Sequence, residues 1–178
     1  VEILPVDIAT SGLHVSLENG ALRLGLAMVG GLGEQSGQHV LAARRAGPFR
    51  SLADFCRRTR LGRRAVEALI WAGAFDGWGI PRRQLLWDLQ AALNIQDRPA
   101  LALESEAERP RLKPLSMLER VWAELTQTGV SSHVHLTELV AEQMQEIGVT
   151  PSHKLAELPN GRPVWVGGII ASAQRPPT

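Results

Sequence analysis

The sequence predicts a mainly α fold: two helix–hairpin–helix units in tandem, an (HhH)2 domain, with a short N-terminal β piece before it and a C-terminal helical segment after it that leads into one strand. Three observations carry this. Residues 26–41 and 55–70 hold the same pattern 29 positions apart: an apolar helical stretch stops at x-Leu-Gly, and a second one begins at once. Strand signals appear near the two ends, as alternation within the first 24 residues and as the apolar run Val164–Ala173. Between them the apolar residues recur at helical spacing.

Taken in order, Val1–Ile3 and Val15–Leu17 alternate, and Glu18-Asn19-Gly20 is a hairpin turn signal ahead of Ala21–Leu24. Short helices are predicted over 25–29, 34–45, 51–58, 63–72 and 81–93, with breaks at Gly47-Pro48 and Gly77–Pro81. Ser51 is a candidate N-cap, with Asp54 at the capping-box position in place of the usual Glu. Trp71, Phe75, Trp78 and Trp87 are expected to close the core beneath the hairpins; a stacking platform for bases is the alternative for any one of them. Residues 94–113 read as a linker, with Pro99, Pro110 and the acidic run Glu104, Glu106, Glu108. Helices over 116–127 and 135–147 follow, then a turn at Leu155–Leu158 and a turn signal at Asn160-Gly161. Val164–Ala173 reads as a strand with nothing after it to pair with. The expected division is 1–24, 25–93, 94–113, 114–158 and 159–178.

The first turn carries specific chemistry. Gly31 and Gly33 can take positive φ without a Cβ clash. Leu32 between them points inward and pins the turn. The helix that follows offers unpaired N–H groups and the positive end of its dipole, a site suited to phosphate. Such a site reads no bases. An ordinary helix–turn–helix corner, with glycines for close packing, is the alternative. Charge favours the anion reading: residues 44–83 hold ten arginines against Asp54, Glu67 and Asp76, a net +7, whereas the chain as a whole carries only +1. A block of that kind coinciding with two phosphate-type hairpins points to a polyanion rather than to a merely solvated face.

Other classes are disfavoured. Cys56 is the only cysteine, so no internal disulfide forms, and its apolar helical phase marks a buried structural thiol. No signal peptide is visible, and Val164–Ala173 is too short to span a bilayer as a helix, so a cytoplasmic location is expected. The chain begins without Met and ends on Arg175-Pro176-Pro177-Thr178, and both ends read as cuts within a longer protein. No paired carboxylates suited to two Mg²⁺ ions, no Walker loop and no organised nucleophile stand out, and His133 and His135 lack further ligands for zinc. A catalytic centre, a metal and a cofactor are therefore not expected in these residues.

The order of segments resembles a known family. Val1-Glu2-Ile3-Leu4-Pro5-Val6-Asp7-Ile8 leads to Ala21-Leu22-Arg23-Leu24-Gly25-Leu26 and Gly30-Gly31-Leu32-Gly33. Gly47-Pro48-Phe49-Arg50-Ser51-Leu52-Ala53-Asp54-Phe55 follows, then Arg63-Arg64-Ala65-Val66-Glu67-Ala68-Leu69-Ile70 and Ala72-Gly73-Ala74-Phe75-Asp76. The pattern resembles the bacterial C-family DNA polymerases, the polymerase III alpha subunits, and continues through Pro114-Leu115-Ser116, Thr128-Gly129-Val130 and Asn160-Gly161-Arg162-Pro163-Val164-Trp165-Val166-Gly167-Gly168. Gln174-Arg175-Pro176-Pro177-Thr178 is closer to the error-prone branch. The resemblance implies that 1–24 is the end of the fingers, 25–93 the tandem helix-hairpin-helix domain, and 159–178 the first strand of an OB domain. It implies a polymerase with Mg²⁺ bound elsewhere, the rest of that chain as a partner, and the sliding clamp as a further one, with Gln96–Leu101 the candidate clamp peptide in a stretch that otherwise reads as linker.

There are departures. Gly30 stands where the family often has Lys, and His133-Val134 where it often has His-Pro. Arg60 occupies the place of Gly31 in the second copy: either its charge substitutes for an amide contact, or that copy is mainly structural. The function expected is a non-catalytic, sequence-independent grip on duplex DNA. Its candidate residues are Gly31, Leu32 and Gly33, Arg44, Arg45 and Arg50, Arg57, Arg58 and Arg60, and Gly62, Arg63 and Arg64. The rivals are the same tandem module in a repair nuclease or glycosylase, and a protein-interaction module in which the hairpins only pack helices.

Overall fold

The computed structural model describes residues 2–97, 110–132, 134–168 and 170. The chain divides into two compact units, Val1–His133 and Val134–Thr178.

The first unit opens with a three-stranded sheet of order β1-β3-β2, made of Ile3–Leu4 (β1), Ser16–Glu18 (β2) and Ala21–Arg23 (β3). Asn19 and Gly20 both take positive φ (51° and 86°), the pairing a two-residue type I′ hairpin requires. It sets β2 antiparallel to β3, with Leu17 opposite Leu22, and Arg23 clasps Glu18 across the pair at 2.8 Å. The sequence does not foretell that β1 pairs with β3 in parallel.

Four helices follow: Gly33–Arg44 (α1), Leu52–Thr59 (α2), Arg63–Trp71 (α3) and Arg82–Asp97 (α4). The expected piece at 25–29 is a single 3-10 turn, Leu26–Met28. Ser51 caps α2 as expected, accepting from the Asp54 N–H at 3.1 Å. The box is shifted, however, because the Asp54 carboxylate accepts from the N–H of Arg50 and not of Ser51. The helix α4 continues to Asp97, four residues beyond the sequence estimate.

The core forms between these helices from Leu26, Val40, Leu52, Phe55, Leu69, Phe75, Leu85 and Leu89, all buried. Phe55 stacks edge-on against Phe49 and against Phe75, each at 4.9 Å between ring centroids, and Trp78 tilts over Phe75 at 5.0 Å. Trp87 is a correction: at 60% exposure it points outward from α4, because Leu85 and Leu89 on either side take the buried stripe. Cys56 is fully buried, and burial pushes its thiol up to about 11.

A further helix, Met117–Thr128 (α5), belongs to this same unit although the sequence groups it with the later connector. It starts with a full capping box between Ser116 and Glu119, ends on left-handed Gly129, and buries Val121 while packing against α3.

The second unit holds two short helices, Leu136–Leu139 (α6) and Ala141–Glu146 (α7), then a 3-10 turn at Ser152–Glu157. The single helix expected over 135–147 is broken at Val140, whose φ of −116° and ψ of 13° leave the helical region. His135 caps α6, its Nδ1 accepting from the Thr137 N–H. Trp165 makes an isolated parallel bridge to Val149, and residues 164–168 otherwise form no ladder among the described residues. The remainder of the expected strand at 169 and 171–173, the linker residues 98–109 with their acidic run, the clamp candidate at 98–101 and His133 lie outside the described residues.

Candidate nucleic-acid interface

The first corner follows from its glycines. Gly31 (φ 78°) and Gly33 (φ 71°) both sit in the left-handed region, with Leu32 helical between them. Leu32 turns inward and is 3% exposed, while Gly30, Gly31, Gly33, Glu34 and Gln35 face solvent. A Cβ at Gly31 or Gly33 would meet nothing within 4 Å, so backbone conformation and not crowding selects glycine here, and the outer face is open. Among the described residues, no backbone acceptor lies against the N–H groups of Gly31, Gly33 or Glu34. They are free donors at the start of α1.

The second corner reaches a similar end by another route. Arg60 closes α2 in the left-handed region at φ 54°, the conformation Gly31 has in the first copy. A residue with a Cβ is strained there by about 1–2 kcal/mol. Leu61 is buried at 4%, matching Leu32. Gly62 differs from Gly33: its φ of −71° is open to any residue, and it is simply the N-cap of α3. Arg63 and Arg64 therefore present the first turn of α3, exposed, with no backbone acceptor for their N–H groups among the described residues.

The arginines sort into three groups. Arg45, Arg50, Arg60 and Arg64 are exposed. Arg57 pairs with Asp54 at 2.6 Å and Arg63 with Glu67 at 2.7 Å, but both guanidiniums remain more than half exposed; such pairs exchange readily with a phosphate. Arg44 and Arg58 turn inward. The Arg44 side chain donates to the carbonyls of Ser11 (2.9 Å) and Ile8 (3.2 Å). Arg58 donates to the carbonyls of Ala43, Gly47 and Pro48 and to Asp54, and lies 4.5 Å over the Phe49 ring. Arg58 fixes the chain reversal between α1 and α2, where carbonyls left over at the end of α1 capture its donors, and Arg44 ties α1 to the N-terminal segment through the Ile8 and Ser11 carbonyls.

A buried network was not anticipated. Arg82, 3% exposed, donates to Asp76 at 2.6 Å, to Glu124 at 2.8 Å and to the Trp71 carbonyl at 3.0 Å, and Arg120 adds a second contact to Asp76 at 2.9 Å. Burial works to raise the Asp76 carboxyl, but the guanidiniums of Arg82 and Arg120 outweigh it and hold the group below the usual carboxylate range. The sequence does hold a signal: Glu124 shares a helical stripe with Val121 and Thr128, and a charge in a buried stripe requires a partner.

With this geometry in place, comparison with known proteins is decisive. The helix-hairpin-helix motif family matches residues 1–85. The error-prone DNA polymerase of Corynebacterium glutamicum is 37% identical over the whole chain, that of Burkholderia pseudomallei 34% over the whole chain, and that of Mycolicibacterium paratuberculosis 34% over 97% of it. The chain belongs to the error-prone DNA polymerase family. It spans 16–18% of the length of these relatives. The mainly helical fold and the helix-hairpin-helix motif, expected from the repeat, hold, and a DNA-binding role fits the family. Among the described residues no three His, Cys, Asp or Glu side chains gather to hold a metal ion. No described helix is long and apolar enough to cross a membrane.

Proposed function

We propose that this chain is the part of an error-prone DNA polymerase that grips the phosphate backbone of duplex DNA, independently of sequence and without chemistry of its own. The observation that carries the reading is the pair of open helix starts, at Gly31, Gly33 and Glu34 and at Arg63–Arg64, whose N–H groups have no backbone acceptor among the described residues and lie on exposed residues, as do the guanidiniums of Arg45, Arg50, Arg60 and Arg64. The N–H of Leu32, expected from the sequence to join them, is taken by the Val29 carbonyl at 3.1 Å. Backbone N–H groups at a helix start, with the positive end of its dipole, suit a phosphate oxygen. Phosphate contacts position a protein on DNA but carry no base information. The long chain to which this segment would belong extends a primer in the cytoplasm, with Mg²⁺ and the catalytic carboxylates held elsewhere.

The test is fluorescence anisotropy with two labelled duplexes of unrelated sequence, over a range of salt. The expected result is equal affinity for both and a steep salt dependence, with each phosphate contact contributing about 0.9 to the slope. Gly33→Val forces a branched side chain into the left-handed region and is expected to weaken binding to both duplexes alike. Binding that ignores salt and this substitution would mean that the corners only pack helices.

A further inference from the structure

The N–H of Gly30, next to the first corner, donates to the carbonyl of Gln127 at 2.6 Å. Gln127 lies in the last turn of α5, where helix carbonyls have no partner of their own. The approach is close enough that a Cβ on Gly30 would stand 3.2 Å from that oxygen.

The helix α5 is itself anchored at a second point. One oxygen of Glu124 accepts from Arg82 at 2.8 Å with both side chains buried, and the other accepts from the N–H (3.3 Å) and hydroxyl (3.2 Å) of Ser132. Arg82 in turn holds the carbonyl of Trp71, the last residue of α3. The α3 helix begins at the second corner. A continuous chain of contacts therefore runs from the second corner along α3, through Arg82 and Glu124 into α5, and from Gln127 to Gly30 at the first corner.

We infer that α5 is a brace that positions the first phosphate-binding corner relative to the second, with Gly30 and Glu124 as positioning residues that touch no DNA. The inference rests on the proposed DNA-gripping function. Two corners on one duplex act as linked sites: the second contact is favoured only while the spacing between them matches the backbone. A brace that fixes this spacing sets how many phosphates are held together, and its loss removes a contact without changing the charge of the surface.

The experiment is salt-dependent anisotropy with a labelled duplex, on the full chain, with thermal melting in parallel. Gly30→Ala is expected to lower affinity about three- to tenfold and the salt slope by about 0.9, the value of one phosphate, with little change in melting temperature. Combined with Gly33→Val it is expected to cost nothing further in slope, since both act on one corner; combined with Arg64→Gln the losses add. Glu124→Gln is expected to reduce the slope in the same way, and both brace variants are read at a temperature at which their melting curves show them fully folded. Wild-type slope in both brace variants, while Gly33→Val and Arg64→Gln reduce it, overturns the brace alone. A slope that none of the four changes overturns the brace together with the DNA-gripping function beneath it.

Discussion

Arg82 and Glu124, 42 positions apart, meet at 2.8 Å with both side chains 3% exposed. The pair joins α4 to α5 and makes a helix outside the repeat part of the same unit. Removing one member of such a pair leaves a buried charge without its counterion, which costs more than the pair itself contributes. Arg82→Ala, which also leaves Asp76 with Arg120 as its remaining guanidinium partner, is expected to lower the unfolding free energy by about 3–5 kcal/mol, read from the midpoint of chemical denaturation. A loss under about 1 kcal/mol would show that the network is relaxed by water.

The same network sets an acid limit. The Asp76 carboxyl is held below its unfolded value, so its charged form stabilises the fold at pH values above that unfolded value, near 3.9. This contribution is lost as the pH falls through the lower, folded value. Denaturation midpoints measured from pH 6 down to pH 2.5 are expected to drop steeply below about pH 4, and Asp76→Asn is expected to flatten that drop while lowering stability at pH 6.

Arg60 separates local strain from function. Arg60→Gly removes a Cβ from a left-handed residue. The relief, less the extra freedom glycine has in the unfolded chain, is expected to stabilise the fold by about 0.5–1 kcal/mol. The lost guanidinium is expected to weaken duplex binding. A higher melting temperature with a lower affinity is the expected combination; a gain in both would remove Arg60 from the interface.

Arg58 stabilises by shape. Four of its five donor hydrogens go to three carbonyls and a carboxylate, and an ammonium cannot reproduce that fork. Arg58→Lys is therefore expected to lose most of what Arg58→Ala loses, about 2 kcal/mol, as measured by chemical denaturation. Full rescue by lysine would mean that charge alone matters there.

The arginine groups predict different binding phenotypes. Arg64→Gln, at an exposed helix start, is expected to reduce the salt slope for duplex DNA by about 0.9. Arg44→Gln, whose guanidinium is bound to the Ser11 and Ile8 carbonyls, is expected to keep the slope and lower thermal stability. The reverse pattern in anisotropy and melting experiments would redraw the interface.

What the chain states locally, it states well. Gly31, Leu32 and Gly33, the Ser51 cap, the Asn19-Gly20 turn and the helical phase of Val66, Leu69 and Ile70 are all rules that act within a few residues, and the structure follows them. The helix break at Val140 was not legible, because no proline or glycine marks it. Nor was the exposure of Trp87, since periodicity identifies a buried stripe but a large aromatic just off it can fall on either side.

The amino-acid sequence by itself determined the glycine geometry of the first corner, the 29-residue phase of its repeat and the arginine block around both, because φ preference, apolar spacing and charge are local properties. The left-handed turn at Arg60 runs against that residue's own preference and is imposed by packing. Only the tertiary structure decided which arginines remain free and which cap carbonyls, and that α5 closes against Arg82 and Gly30. Those contacts join residues tens of positions apart, and a guanidinium binds whichever acceptors the packed helices leave unsatisfied.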